Sequence, residues 1–283
     1  MSPLEPALHL VATPIGSARD ITLRALDVLR DADVLAAEDT RTLRRLMEIH
    51  GVPLSGRTIL PYHDHNGAAM RPRILEALEA GRSVAYASDA GTPLVADPGF
   101  QLAREVIAQG YEVRAVPGAS AALSALCVAG LPSDRFLFAG FAPPKQSARR
   151  TFLAGLAQVE ATLIFYESPR RLAATLADMA DTLGGARHAA ICRELTKRFE
   201  ETRRGTLADL AATLAEEPAP KGEVVLVVGP PVNDPAAEDN LEPMLREALA
   251  TMRVRDAADA VAAATGRARR DVYQLALKVQ RDD

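Results

Sequence analysis

Three short stretches of this chain combine glycine, proline and hydroxyl residues directly after apolar runs: "TPIGSARD" (13–20), "SDAGTPLVADPG" (88–99) and "VPGASAALSAL" (116–126). Loops of that composition let backbone approach a ligand, because glycine adopts conformations closed to other residues and small side chains leave room. Their spacing excludes two common ligands: none matches the G-x-G-x-x-G of a dinucleotide site or the G-x-x-x-x-G-K-[ST] of a phosphate-binding loop. A strand-to-helix turn is often glycine-rich for structural reasons alone, but three in series point to a bound ligand.

Groups able to move a proton accompany these loops. Glu38 and Asp39 follow one apolar run, Glu167 ends another, and Glu194 precedes Lys197 in "RELTKRFEETRR" (193–204). A carboxylate, or a Lys of lowered pKa, is a candidate general base. Each also has a structural reading, in which Glu167 or Glu194 pairs with a neighbouring Arg. "YHDHN" (62–66) adds His63, Asp64 and His65. With no third ligand at a recognisable spacing, no metal is expected there.

The elements that must position these groups alternate along the chain. Apolar runs at 8–13, 32–38, 83–87 and 111–116 read as strands, separated by stretches with apolar residues at helical spacing and a glycine near the end. That is an α/β pattern with a mainly parallel sheet. A second set follows residue 118, with runs at 136–141, 161–167, 188–195 and 222–229. The expected organisation is an α/β domain over 1–117, a second over 118–230, and a linker with a small helical appendage over 231–283. "GPPVNDPAAEDN" (229–240) reads as the linker.

With 283 residues, 48% of them hydrophobic and 25% charged, the chain has the make-up of a folded protein rather than a disordered one. No apolar run approaches the ~20 residues that span a bilayer, and the N-terminus lacks the pattern of a signal peptide, so a cytoplasmic location without membrane contact is expected. Cys127 and Cys192 lie in apolar surroundings and read as core thiols. The net charge of −4 argues against a protein coated in positive potential but allows a local basic groove.

"VATPIGSARDIT", "AEDTR", "YHDHN", "SDAGTPLVADPG", "VPGASA", "FYESPRR", "RELTKRFEE" and "KGEVVLVVGP" follow one another in this chain. In that order they resemble the ribosomal RNA small subunit methyltransferase I family, a branch of the tetrapyrrole methylase superfamily, over essentially the whole length. The resemblance implies two α/β domains of tetrapyrrole methylase type with a cofactor cleft between them. It also implies an S-adenosyl-L-methionine-dependent homodimer that methylates the ribose 2′-hydroxyl of a cytidine in the decoding region of 16S rRNA, within the 30S subunit. One departure is visible: Gly67 stands where the family usually has an acidic residue.

Carried over residue by residue, the resemblance places Ser88, Gly91, Thr92 and Val95 along the cofactor, with Thr92 as polar anchor, Val95 against the adenosine and Asp89 orienting the loop. Pro14 and Ile15, Ser120 and Ala121, Phe165 and Tyr166, and Glu223 and Val224 should also touch it. For Phe165, Tyr166 and Val224 the competing reading is plain core packing. Lys197 is the foremost catalytic candidate, to hold a phosphate or to lower the pKa of the 2′-hydroxyl, with Glu194 orienting it; Glu38 and Glu167 are the other candidates. RNA is held through its phosphates, and Arg41, Lys145, Arg149, Arg170, Arg193 and Arg203 are the expected contacts. Two other functions fit parts of the pattern: a precorrin-type C-methyltransferase, which needs neither the Arg-rich loops nor the helical tail, and a non-catalytic RNA-binding adaptor led by residues 241–281.

Overall fold

The computed structural model describes residues 4–63, 66–232, 235–265 and 269–282. The chain divides into two compact units, Met1–Pro231 and Val232–Asp283. The first unit carries two five-stranded sheets.

The first sheet is built from β1 (Leu8–Val11), β2 (Val34–Ala37), β3 (Ile59–Pro61), β4 (Val84–Ala87) and β5 (Val113–Val116), all parallel, in the order β3-β2-β4-β1-β5. Both faces are covered. Ala85 and Ala87 of β4 join one apolar cluster with α1 (Leu23–Asp31) and α2 (Thr40–Ile49), while Val84 and Tyr86 join another with α3 (Gly67–Glu79) and α4 (Phe100–Ala108). Burial on both faces explains why these strands read as continuous apolar runs. Helix starts are fixed locally: Thr22 accepts from Ala25 N at 3.1 Å, and Asp39 from Arg41 N at 2.8 Å. The strand order has one functional consequence. The connection leaving β1 runs towards β2, and that leaving β4 runs the other way, towards β5. Between these two neighbouring strands the following loops diverge, opening the crevice in which open α/β sheets bind ligands.

After α5 (Ala121–Ala129) comes the second sheet: β6 (Phe136–Phe141), β7 (Thr162–Glu167), β8 (His188–Arg193), β9 (Glu201–Thr206) and β10 (Val224–Val228), ordered β6-β7-β10-β8-β9. Here the expected parallel pattern holds only for β6 against β7; the β7–β10, β10–β8 and β8–β9 pairs are antiparallel. The last strand inserts between β7 and β8, and no alternation pattern in the sequence announces such an insertion. Alternation along β7 and β10 splits the core. Leu163, Phe165, Val224 and Leu226 pack with α6 (Gln146–Ala154), α7 (Leu172–Leu183) and α8 (Leu207–Glu216), whereas Ile164, Val225 and Val227 pack with α5 and with Ile15 of the first half. This second cluster joins the two halves of the unit.

Three expectations change. Cys192 is a core thiol, but Cys127 is exposed, because α5 buries Ala122, Ala125, Leu126 and Ala129 and residue 127 falls off that face. β3 and β9 escape the sequence reading: one is three residues long and ends in Pro61 at the sheet edge, the other is the polar "ETRRGT" edge strand. The supposed linker is partly helical. In the second unit α9 (Pro235–Leu249) begins within it, followed by α10 (Val254–Thr265) and α11 (Arg269–Asp282), around a core of Leu241, Leu245, Ala258, Val261, Val272 and Ala276. Among the described residues no helix is long and apolar enough to cross a membrane.

Candidate active site

A cavity of about 360 Å³ opens at the carboxyl ends of β1 and β4, between the two sheets of the first unit. Its floor is the loop after β4. Gly91 pairs with Thr13 of the loop after β1 through two backbone hydrogen bonds, Thr13 N to Gly91 O at 2.9 Å and Gly91 N to Thr13 O at 3.0 Å. Thr92 Oγ1 donates to Ala119 O at 3.0 Å and so ties this loop to the turn before α5. Gly91 has φ +80°, a left-handed conformation that favours glycine, and a Cβ there would lie 3.3 Å from Ile15 Cγ2.

Of the residues expected along the cofactor, Ile15, Gly91, Thr92 and Val95 line the cavity from the first half, and Ser120, Ala121, Tyr166, Glu223 and Val224 from the second. Tyr166 is held edge-on by Phe138 and Phe141, at 4.9 and 5.6 Å between ring centroids. Burial pushes its hydroxyl pKa up. Pro14, Ser88, Asp89 and Phe165 are not among the lining residues. Phe165 is fully buried in the α6–α8 core, since alternation along β7 turns it away from the side that Tyr166 faces. Ser88 is buried and donates to Gly91 O at 3.1 Å, shaping the loop. Asp89 orients its loop across the sheet, accepting from Asp39 N at 3.0 Å.

The catalytic candidates separate by what they already hold. Glu167 borders the cavity, but its side chain turns to the start of α7: Ser168 N and Arg171 Nε donate to its Oε1 at 2.6 and 2.7 Å, and Thr175 Oγ1 donates to Oε2 at 2.7 Å. Both oxygens of this buried carboxylate serve the turn into α7, so the catalytic expectation gives way to the structural one. Asp39 caps α2, and the Arg41 side chain holds its pKa down to about 2, which makes it a weak base. Glu38 Oε2 accepts from Asp89 N at 3.4 Å. Asp64 and His65 lie outside the described residues.

Lys197 sits in a tight turn between β8 and β9, where Glu194 and Thr196 have φ of 51° and 62°. Its stem packs over Gly16, whose Cβ would approach Lys197 Cγ to 2.5 Å, so the turn is docked on the loop after β1. Lys197 Nζ donates to Glu194 Oε1 at 2.8 Å and to Glu223 Oε2 at 2.7 Å. Burial lowers its pKa, but hydrogen bonds to the two carboxylates and their charges outweigh this and hold it above the ordinary value. The same ammonium holds Glu194 below the usual carboxylate range. A lysine so paired stays protonated near neutrality, which corrects the lowered-pKa reading. It touches the cavity through Glu223.

Among the residues expected to face RNA, Arg149 is the clear correction: its side chain is 5% exposed and pairs with Asp178 at 2.6 Å. Arg193 and Arg203 share Glu201, and Arg203 also pairs with Glu217, so much of their charge is balanced locally. Arg41 is exposed and bound to Asp39. Lys145, at the start of α6, and Arg170, just past the cavity residues Ser168 and Pro169, are exposed. Gly67 is buried at the start of α3, and a Cβ there would lie 3.1 Å from Tyr62 Oη, so a side chain at this position requires a small shift of Tyr62.

Of the ionisable residues lining the cavity, Asp97 carries no mark in the sequence analysis. Asp97 sits in "ADPG" and is half-buried against the first sheet; burial first, then the charge of Glu38, pushes its pKa up to about 6. Its sequence signal is an acid ahead of a proline inside the longest glycine loop.

Comparison with known proteins accounts for this architecture. The profile for Tetrapyrrole (Corrin/Porphyrin) Methylases matches residues 7–211, and that for the RsmI C-terminal HTH domain matches residues 234–280. Among solved structures, the methyltransferase CobJ superposes with a TM-score of 0.61 at 20% identity, over 79% of this chain and 94% of that one. The cobalt precorrin-4 methyltransferase CbiF does so with 0.58 at 17%, over 79% and 95%. Both show the fold. Ribosomal RNA small subunit methyltransferase I of Mesorhizobium japonicum is 50% identical over 98% of this chain and 94% of its own length. That of Mycobacterium tuberculosis is 44% identical over 97% and 96%. With both the methylase unit and the helical tail matched, the chain belongs to the ribosomal RNA small subunit methyltransferase I family, on the tetrapyrrole methylase fold.

Proposed function

We propose that the protein methylates the 2′-hydroxyl of a cytidine ribose in the decoding region of 16S rRNA, using S-adenosyl-L-methionine and acting on the 30S subunit in the cytoplasm. The observation that carries this reading is the cavity at the β1/β4 crevice in a chain whose relatives along their whole length are rRNA methyltransferases. The residues present suit that cofactor. The aromatic wall of Tyr166 and the apolar Ile15, Val95 and Val225 suit an adenosine, and the missing side chain at Gly91 lets backbone approach it. When bound, the cofactor supplies a methyl group made electrophilic by the adjoining sulfonium. The chain's contribution is alignment of a weak nucleophile in line with that group, exclusion of water by the two-sided cavity, and removal of a proton. Lys197, held protonated by Glu194 and Glu223, meets an RNA phosphate by exchanging its exposed partner Glu223 for it, while Glu194 keeps it in place. Assembly as a homodimer accompanies this reading, and edge strand β6, with Phe136 and Leu137 exposed, is available to a partner copy.

The test is methyl transfer from labelled cofactor to 30S subunits, with the rRNA digested to nucleosides and the product identified by mass spectrometry. The expected product is 2′-O-methylcytidine. Label in a base, or transfer to a precorrin and not to 30S subunits, would overturn the assignment; failure to bind the cofactor by calorimetry would favour the adaptor reading.

A further inference from the structure

We infer that Asp97 is the group that takes the proton from the attacking hydroxyl. This inference rests on the proposed reaction and adds to it the identity of the base.

Its placement is specific. Asp97 lines the cavity together with Tyr166, Gly91 and Thr92, and its charge acts on the Tyr166 hydroxyl. The loop that carries it is wound through left-handed backbone at Leu94 (φ 71°), Ala96 (φ 61°) and Gly99 (φ 116°). Side chains with a Cβ adopt that conformation at a cost, and such strain persists where surrounding structure imposes it, often at working sites. The surroundings here impose it: the Tyr86 hydroxyl donates to Pro98 O at 3.1 Å, and Gly99 lies so close to the Tyr86 ring that a Cβ would sit 2.8 Å from it. Pro98 in turn restricts the backbone of Asp97. A buried tyrosine of β4 thus fixes the residue that aims the carboxylate at the cavity.

The other acids bordering the same space are committed elsewhere. Glu167 is saturated by Ser168, Arg171 and Thr175, and Glu223 holds Lys197. Glu38 and Asp89, from the ends of β2 and β4, face Asp97 as like charges. Their repulsion, added to burial, raises its proton affinity to about 6, near the range where a general base works best at neutral pH; a hydrogen bond with Ser88 acts the other way.

The direction of charge flow also favours this role. In the step, the hydroxyl O–H bond breaks as oxygen bonds to the methyl carbon, the carbon–sulfur electron pair leaves with sulfur, and the proton passes to Asp97 and then to water. Cationic charge vanishes at sulfur, so a carboxylate that only paired with that cation would stabilise the ground state more than the transition state. Accepting the proton is the use of a negative charge here that lowers the barrier.

The experiment compares wild type with Asp97→Asn for cofactor binding by calorimetry, methyl transfer to 30S subunits across pH 5–9, and thermal melting across the acid range. Expected are cofactor affinity near wild type and a loss of transfer of at least ~10²-fold in the variant. The wild-type rate should rise with pH through an inflection near 6 to a plateau, and the variant should lack that inflection. Melting gives a readout without substrate. With a folded pKa above the unfolded 3.8, Asp97 contributes stability that is lost as pH rises from about 4 to 6, so the melting difference between wild type and Asp97→Asn should shift against the wild type across that range, whatever the other carboxylates do in both proteins. Turnover near wild type in Asp97→Asn, or loss of turnover matched by equal loss of cofactor affinity, would overturn the assignment. Should Asp97→Asn fail to fold, Asp97→Ala with added formate decides: restored transfer supports the role, and no restoration counts against it. A wild type that binds cofactor yet leaves 30S subunits unmethylated overturns the functional reading itself, and the base assignment with it.

Discussion

Replacing Gly91 by leucine probes the cavity floor directly. Gly91 takes φ +80°, which costs a residue with a Cβ roughly 1–2 kcal/mol, and its Cβ would stand 3.3 Å from Ile15 Cγ2 and 3.6 Å from Ala119 O. The backbone can escape that strain by swinging away from Thr13, but each of the two bridge hydrogen bonds it would lose is worth about 1 kcal/mol. Staying put brings the longer leucine side chain against Ile15 and the cavity that both residues line. Either route removes ligand space or moves the wall, so cofactor affinity should fall at least ~100-fold, about 2.8 kcal/mol. Gly91→Ala, which bears the strain without filling the space, should lose much less. Calorimetric titration with S-adenosyl-L-methionine measures the affinity, and a melting curve separates loss of the site from loss of the fold. A folded Gly91→Leu protein with wild-type affinity would refute the placement of the cofactor.

Further outcomes follow from the ion pairs and the exposed cations. Lys197→Ala should weaken 30S binding in a way that low salt partly restores, without moving the acid limb of the pH–rate profile, because Lys197 stays protonated over that range; a displaced acid limb would make Lys197 part of the titrating base. Asp178→Ala should destabilise the protein by about 3–5 kcal/mol by stranding the buried Arg149, while folded variant keeps its affinity for 30S subunits; reduced affinity with unchanged melting would return Arg149 to the RNA surface. Arg170→Ala and Lys145→Ala should each lower the salt dependence of 30S binding by roughly one phosphate contact, with cofactor affinity unchanged. An unaltered salt slope in either variant would remove that residue from the interface.

Much of the protein was legible in the sequence because its signals are local. Continuous apolar runs betray strands buried on both faces, and glycine beside proline marks turns whatever surrounds them. The loops 13–20, 88–99 and 116–126 were therefore readable as ligand-facing, and they do meet around one cavity. β3 and β9 were not, because edge strands bury too little to need an apolar pattern.

Composition and motif order were enough to indicate the α/β class and the family; the tertiary structure decided what each charged group is free to do. Glu167 and Asp97 look alike in the sequence, each an acid beside a proline-containing turn. Folding surrounds one with three donors, one of them a guanidinium, and leaves the other half-buried among like charges at a cavity wall. Arg149 and Arg170 both sit in basic clusters, yet Asp178, 29 residues along the chain, claims the first. Proton affinity and charge depend on partners within a few ångströms, and those partners come from sequence-distant strands and helices. The sequence therefore names the candidates, and only the folded chain assigns them.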